Sequence, residues 1–441
     1  MTGYGLTVEV GAVMPRRSIR RRTRPDSPRV GFFGILGEGN LGNDGSMDVV
    51  VAFLRDRHPE AKLSFLCMGP EQIAARHGGQ ASYLLWYKAH VRKATGTRAA
   101  LLKIVGKLLD PFRTFAWVRR QDVVIVPGMG VLEATVPMRP WGFPYALFML
   151  CVSGRVLGTR VALVSVGADA IDESLTRWLI MWSARFASYR SYRDAHSRDA
   201  VRRMGVDTSG DEIYPDLAFG LPTPPVDAAP TGAVGIGVMA YRGRNGDRGQ
   251  ADQIHATYLA ALKSFVRWLV DGGRQVRLFI GDHKDDVVVQ EILADLRAHR
   301  PAITPSQVVA EPATTLEGML HQLAGVDTMV ATRYHNVLCA LKMCRPTVSI
   351  GYAAKHDVLM TEMGLGEFCQ SARSVDVEHL IEQFTAIERR SDELRHTLAE
   401  RNRVNAERLE HQFNALSAAL FPAAGPAAVP TGQAPCRGPI R

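Results

Sequence analysis

Twice along this chain, a run of residues apolar enough to be buried on both faces stops at a loop rich in glycine or cations. In both places the residues that follow carry apolar side chains at helical spacing. The first unit is Arg29 to Ile35 (RVGFFGI), a Gly/Asn-rich loop, and Ser46 to Arg57, in which Met47, Val50, Val51 and Leu54 fall on one face. Strand candidates continue at Leu63–Met68, Asp122–Pro127, Arg160–Val166 and Ala187–Tyr192, spaced widely enough for helices between them. Residues Leu221 to Gly232 read LPTPPVDAAPTG, four prolines with no apolar face to bury, which marks a linker. The pattern then restarts with strands at Ala233–Met239, Gln275–Ile280, Thr328–Thr332 and Pro346–Ile350. Alternation of this kind specifies parallel sheets covered by helices on both sides. The expected fold is therefore α/β, with doubly wound domains over residues 29–220 and 233–421 joined by the linker 221–232. A chain of 441 residues is long enough for both cores. Leu394, Leu398, Leu409, Phe413, Leu416 and Leu420 suggest one or two amphipathic helices closing the second domain.

The net charge of +9 suggests a nucleic-acid partner until it is mapped. Residues 1–29 hold seven arginines against Glu9 and Asp26, so +5 belongs to an N-terminal arm and the body is close to neutral. No nucleic-acid partner is expected. Residues 1–28 and 422–441 lack apolar periodicity and read as disordered tails. The six cysteines form no C-x-x-C pair, which argues against a zinc knuckle or a disulfide framework, so no metal is expected. The longest apolar run, Phe143 to Val152, has ten residues, against the roughly 20 that span a bilayer. The arginine block follows the weakly apolar Leu6 to Met14, the reverse of a signal peptide's order. A cytoplasmic protein is expected, whose arginine arm can touch the inner membrane surface.

Gly37-Glu38-Gly39-Asn40-Leu41-Gly42 matches G-x-G-x-x-G between a strand and a helix, the context of a dinucleotide-binding turn. The next strand ends in Cys67-Met68-Gly69-Pro70 with Glu71 only just beyond, poorly placed to hold a ribose, which counts against NAD. Asn43-Asp44-Gly45-Ser46 adds polar groups at a helix N-terminus, suited to hydroxyls or an anion; the simpler use of Asp44 or Ser46 is to cap that helix. Pro127-Gly128-Met129-Gly130-Val131-Leu132-Glu133 repeats the design with one carboxylate, a candidate base or sugar ligand. Ser191-Tyr192-Arg193-Asp194 ends another strand. In the second half, Arg333, His335 and Asn336 follow a strand, and Lys355 follows the next one, so three cationic or titratable groups converge on one crevice suited to an anionic substrate.

With these segments in place, the chain resembles the polysaccharide pyruvyl transferase family over roughly Val30 to Gly366. The carriers are GEGNLGNDGSM, PGMGVLE, SVGA at Ser165–Ala168, SYRDAHS, PDLAF at Pro215–Phe219 and TRYHNVLCALKMCRPTVSIGYAAKHDVLMTEMGL, in which a lysine follows the Arg-x-His element by twenty residues. The resemblance implies two Rossmann-like domains facing across a cleft, as in GT-B glycosyltransferases, and no cofactor. It implies transfer of the carboxyvinyl carbons of phosphoenolpyruvate, as co-substrate, onto two hydroxyls of a glycan or lipid-linked sugar, giving a pyruvate ketal. It places Arg333, His335 and Lys355 around phosphoenolpyruvate and the Asn40 to Asp44 loop on the acceptor side. His335 is the expected general acid, protonated beside bound phosphate, with Arg333 and Lys355 holding carboxylate and phosphate. Asp44, Glu133 and Asp194 compete for the role of base. Gly37, Gly42, Gly128, Gly130 and Arg193 complete the substrate-binding set. Where many members carry an arginine after the first strand of the second domain, this chain reads Val238-Met239-Ala240-Tyr241-Arg242, and Arg242 is the substitute. The rival enzyme on the same scaffold is a glycosyltransferase using a nucleotide sugar.

Overall fold

A computed structural model of the protein describes residues 27–90, 96–133, 140–225, 231–243, 245–311 and 313–421. The arginine-rich arm up to residue 26, the middle of the linker (226–230) and the C-terminal tail lie outside the described residues. The strands are β1 (Arg29–Phe33), β2 (Lys62–Cys67), β3 (Gln80–Tyr83), β4 (Val123–Pro127), β5 (Arg160–Val166), β6 (Tyr189–Tyr192), β7 (Glu212–Ile213), β8 (Val234–Gly237), β9 (Val276–Phe279), β10 (Val308–Val309), β11 (Thr328–Ala331), β12 (Thr347–Gly351) and β13 (Cys369–Ser371). The helices are α1 (Leu41–Arg57), α2 (Pro70–His77), α3 (Trp86–His90), α4 (Gly96–Val118), α5 (Phe143–Leu157), α6 (Ser174–Phe186), α7 (Ala195–Arg203), α8 (Ala251–Asp271), α9 (Asp286–His299), α10 (Leu316–Leu323), α11 (Tyr334–Lys342), α12 (Ala354–Glu362), α13 (Val377–Arg389) and α14 (Ser391–Leu420).

Two all-parallel sheets result, ordered β3-β2-β1-β4-β5-β6-β7 and β10-β9-β8-β11-β12-β13. In each, the order reverses between the first and fourth strands, which opens a crevice at the carboxyl ends of β1 and β4 in one sheet and of β8 and β11 in the other. The central strands are apolar throughout because helices cover both faces. β4 (VVIVP) and β11 (TMVA) are buried along their whole length. The strands added to the expected set, β3, β7, β10 and β13, all lie at or near sheet edges and are short.

The closing helices depart from the expected grouping with the second domain. α14 is a single helix that begins on the second sheet's side, where Asn402 donates to the carbonyls of Leu341 and Lys342 at 3.0 Å. Its second half packs on the first sheet's side: Gln412 donates to the hydroxyls of Ser165 and Ser191 at 2.7 and 3.1 Å, and Arg160 donates to Leu420 O at 2.6 Å. The helix therefore ties one domain to the other. Among the described residues, no helix is long and apolar enough to cross a membrane.

Candidate functional site

The two sheets meet with their carboxyl-end loops in contact. Leu41 N–H donates to Gly281 O at 3.1 Å, and Asn40 bridges to Asp282. The site departs from expectation here, because the loop expected to line the acceptor side is occupied by the other domain. Its polar groups are also spent locally. Asn40 caps α1 by accepting from Asn43 N–H at 3.2 Å, and the Asn43 amide donates to Ile35 O at 3.0 Å. Asp44 accepts from Gly37 N–H at 2.7 Å across a turn in which Gly37 takes φ +76°. Burial raises the Asp44 carboxyl to about 6, against the pull of that N–H. Its charged neighbours are Asp48, Arg76 and His77, none of which belongs to the cluster formed by the other candidates. Asp44 braces the loop. Gly42 has a different role: a Cβ there would fall 1.9 Å from His335 Nδ1, so only glycine lets α1 approach the imidazole.

The other candidates do converge. Glu133, after β4, is 6% exposed and binds two cations: Arg193 from the loop after β6, and Lys355 of α12, whose ammonium stands 3.1 Å away across the domain boundary. The carboxylate lies against Gly130 and Gly167, where a Cβ would reach within 2.5 Å of it. Gly128 packs on Ser46 of α1. Arg193 is also near Asp194 (3.5 Å) and Asp216 (3.7 Å), and its guanidinium stacks 4.8 Å from the ring centre of Tyr334. Asp194 caps α7 through Ser197 N–H at 2.6 Å, and Asp216 accepts from Ala218 N–H at 3.0 Å. Burial is the largest single influence on Lys355 and opposes its charge, but Glu133 and Tyr352 together hold the ammonium above its usual pKa.

His335 opens α11 beside this group. Its Nε2 is sealed from solvent without a hydrogen-bond partner among the described residues, and the nearest carboxylate oxygen, on Asp216, is 3.9 Å away. Burial lowers its pKa to about 4; Asp216 opposes this, while Arg193 and Lys355 add to it. The imidazole is therefore neutral at pH 7 in the free protein, and the protonated form expected of a general acid would require the charge of a bound anion.

Two expected anion ligands are otherwise engaged. Arg333 forks onto the fully buried Asp285, Nε to Oδ2 at 2.7 Å and Nη2 to Oδ1 at 2.6 Å. Arg242 is exposed and pairs with Asp252 at 2.5 Å, outside the buried network. The expected surplus of positive charge is absent. Arg193, Arg333 and Lys355 face Glu133, Asp194, Asp216 and Asp285, because cations removed from water need partners. Asn336 is fully buried, and neither amide atom has a partner among the described residues, where Gly237 and Gly281 press on it. His356 lies within 3.1 Å of Ala353 O and 3.0 Å of Thr332 O, linking the loops that carry Lys355 and Arg333.

Asp216 and Asp285 escaped the sequence reading as candidates. Asp216 sits in the PDLAF segment after β7, and its position just past a strand was the signal that could have revealed it. Asp285 lies on a 3-10 turn after β9, in a run of charges (GDHKDD) that looks like an ordinary solvated loop. Among the described residues, no group of three or more His, Cys, Asp or Glu side chains is placed to hold a metal ion.

Residues 40–353 match the polysaccharide pyruvyl transferase family, a span that contains every residue of this cluster except Lys355 and His356. The chain belongs to that family. No curated protein matches the chain. Among solved structures, it is similar to the UDP-GlcNAc 2-epimerase of Methanocaldococcus jannaschii, at 8% identity and TM-score 0.52, over 81% of this chain and 92% of that one. It is similar to a putative UDP-N-acetylglucosamine 2-epimerase of Listeria monocytogenes, at 12% identity and TM-score 0.56, over 89% and 96%. It is also similar to Anabaena HepE in complex with UDP and glucose, at 10% identity and TM-score 0.53, over 90% and 100%. At such identities these likenesses speak for the fold. The family member is a two-domain α/β protein of the GT-B-like class.

Proposed function

We propose that the protein transfers the pyruvyl carbons of phosphoenolpyruvate onto two hydroxyls of a sugar in a polysaccharide or glycolipid, forming a pyruvate ketal. One observation carries this reading. The Arg-x-His and lysine residues that mark the family resemblance keep 18% (Arg333), 16% (His335) and 15% (Lys355) of their side chains exposed between the sheets. Glu133, Arg193, Asp194 and Asp216 beneath them are at 6% or less. The reactive surface is thus a small cationic and titratable rim on a buried floor in which three carboxylates surround Arg193.

In this reading Lys355 and the Nη1 corner of Arg333 hold phosphate and carboxylate. The substrate's negative charge raises the pKa of His335 so that it takes a proton from solvent, and His335 delivers that proton to the methylene carbon of the enol phosphate. An acceptor hydroxyl attacks C2 and loses its proton to a base. Among the carboxylates, Asp216 is the one paired with His335. The C2–O bond to phosphate then breaks, the second hydroxyl closes the ring, and its proton leaves with the phosphate. The void of about 10 Å³ lined by Arg193, Asp216 and Tyr334 is too small for a sugar, so in this reading the domains part to admit the acceptor.

Phosphate release from phosphoenolpyruvate, measured with and without soluble and lipid-linked glycans, tests the assignment. Acceptor-dependent release that falls at least ~100-fold in His335→Ala supports it. Unchanged turnover in that variant removes His335 from the mechanism. A 470 Å³ cleft lined by Tyr241, Asp247, Tyr352, Asp357 and Arg373 keeps nucleotide-sugar transfer as the second reading. Thermal stabilisation by a nucleotide sugar, with no effect of phosphoenolpyruvate, would favour it.

A further inference from the structure

The helix that leads into β4 carries apolar side chains on a face that nothing covers among the described residues. Along α4, Leu101 (62% exposed), Ile104 (58%), Leu108 (67%), Phe112 (76%) and Phe115 (39%) recur at intervals of three and four, which places them on one stripe. The opposite side, with Gly106, Asp110, Thr114 and Val118, is buried against the domain. Burial therefore accounts for one face of the helix and leaves the more apolar one in water. Residues 96–120 also hold six basic side chains (Arg98, Lys103, Lys107, Arg113, Arg119, Arg120) against a single acid, Asp110, which is buried and paired with Arg113 at 2.8 Å. An exposed apolar stripe flanked by lysine and arginine is the signature of a helix lying in a lipid interface.

We infer that α4 docks the protein on an anionic bilayer surface. Charge selects this partner over a second copy of the chain. A two-fold contact would set the same patch against itself, bringing together two segments that each carry +5 over residues 96–120, whereas an anionic leaflet neutralises them. The neighbouring helices extend the surface: α5 packs against α4 and exposes Val156, and Trp141 just before it is 53% exposed. The placement also suits an acceptor held in the membrane. Arg113 donates to Tyr83 O at the carboxyl end of β3, and Asp110 and Gly106 lie against Trp86 and Tyr87 just beyond it, so this part of α4 lies at the same end of the sheet at which Glu133 follows β4. The docking surface is distinct from the pyruvyl-transfer site and stands whether or not that chemistry is correct.

The test is cosedimentation of the full chain with vesicles of phosphatidylcholine alone and of phosphatidylcholine with 30% phosphatidylglycerol. Binding to the anionic vesicles, little to the neutral ones, and a loss of at least ~10-fold in Leu108→Ser/Phe112→Ser are expected. Both side chains are exposed, so an unchanged melting temperature of this variant confirms that it folds. Equal binding by the variant would overturn the proposal by crediting the arginine arm alone. Failure of the wild type to bind anionic vesicles would overturn it as well. So would a lipid-free dimer that the double substitution dissociates, which would make the face a contact between copies.

Discussion

Replacing His335 by glutamine should make the protein less sensitive to acid. The free imidazole titrates near 4 against an ordinary 6.5, chiefly because burial penalises its charged form. A folded pKa this far below the unfolded one corresponds to about 3 kcal/mol. The sign follows from proton counting. Between pH 6.5 and 4 the unfolded chain binds a proton that the folded chain refuses, so stability is complete above pH 6.5 and drains away as pH falls toward 4. At pH 5 the loss due to His335 is about 2 kcal/mol. Urea unfolding of the wild type and His335→Gln at pH 8 and pH 5 isolates this contribution, because Asp44 and His356 titrate alike in both proteins. The wild type should lose about 2 kcal/mol more than the variant. Equal losses, or an imidazole NMR titration with its midpoint above pH 6, would refute the claim that His335 is held neutral. One unit of negative charge about 4 Å away, at an effective dielectric near 20, is worth about 4 kcal/mol, or about three pH units. Phosphoenolpyruvate should therefore move the same NMR midpoint from about 4 to about 7, where a general acid is useful.

Gly42→Ala places a methyl 1.9 Å from His335 Nδ1, so turnover should drop at least ~10-fold while the overall fold, read by circular dichroism, is retained. Glu133→Gln leaves Arg193 and Lys355 buried without their shared carboxylate and should cost about 3–5 kcal/mol, measured as a fall in denaturation midpoint; an unchanged midpoint would show that the pair is compensated elsewhere. Arg242→Ala removes only an exposed pair with Asp252 and should leave stability within about 0.5 kcal/mol and turnover unaltered, whereas a raised KM for phosphoenolpyruvate would return Arg242 to the site.

Much of the architecture was legible because a parallel sheet buried on both faces must be written as continuous apolar runs. β5 and β11 lie where the sequence places them, and the loops after β4, β6, β11 and β12 share the carboxyl edge because a strand-loop-helix unit leaves them nowhere else. Edge strands lack that signature. β3 (QASY) and β13 (CQS) are half-exposed and polar, and they are strands only because a neighbour supplies hydrogen bonds. The candidate site was legible as a roster of Glu133, Arg193, His335 and Lys355, but not as a set of pairings.

Those pairings depend on distances between residues far apart in the chain. The sequence by itself determines that Arg333 follows a strand and can present its fork at the crevice. Only the tertiary structure decides that Asp285 occupies that fork, that Arg242 turns to Asp252 in solvent, and that Asp44 is consumed by Gly37. The same holds for α4: which of its sides is covered is decided only by the fold. Apolar periodicity is local and survives in one dimension, which is why the fold could be read. Electrostatic partnership falls steeply with distance and desolvation, so it exists only once the two domains have closed on each other.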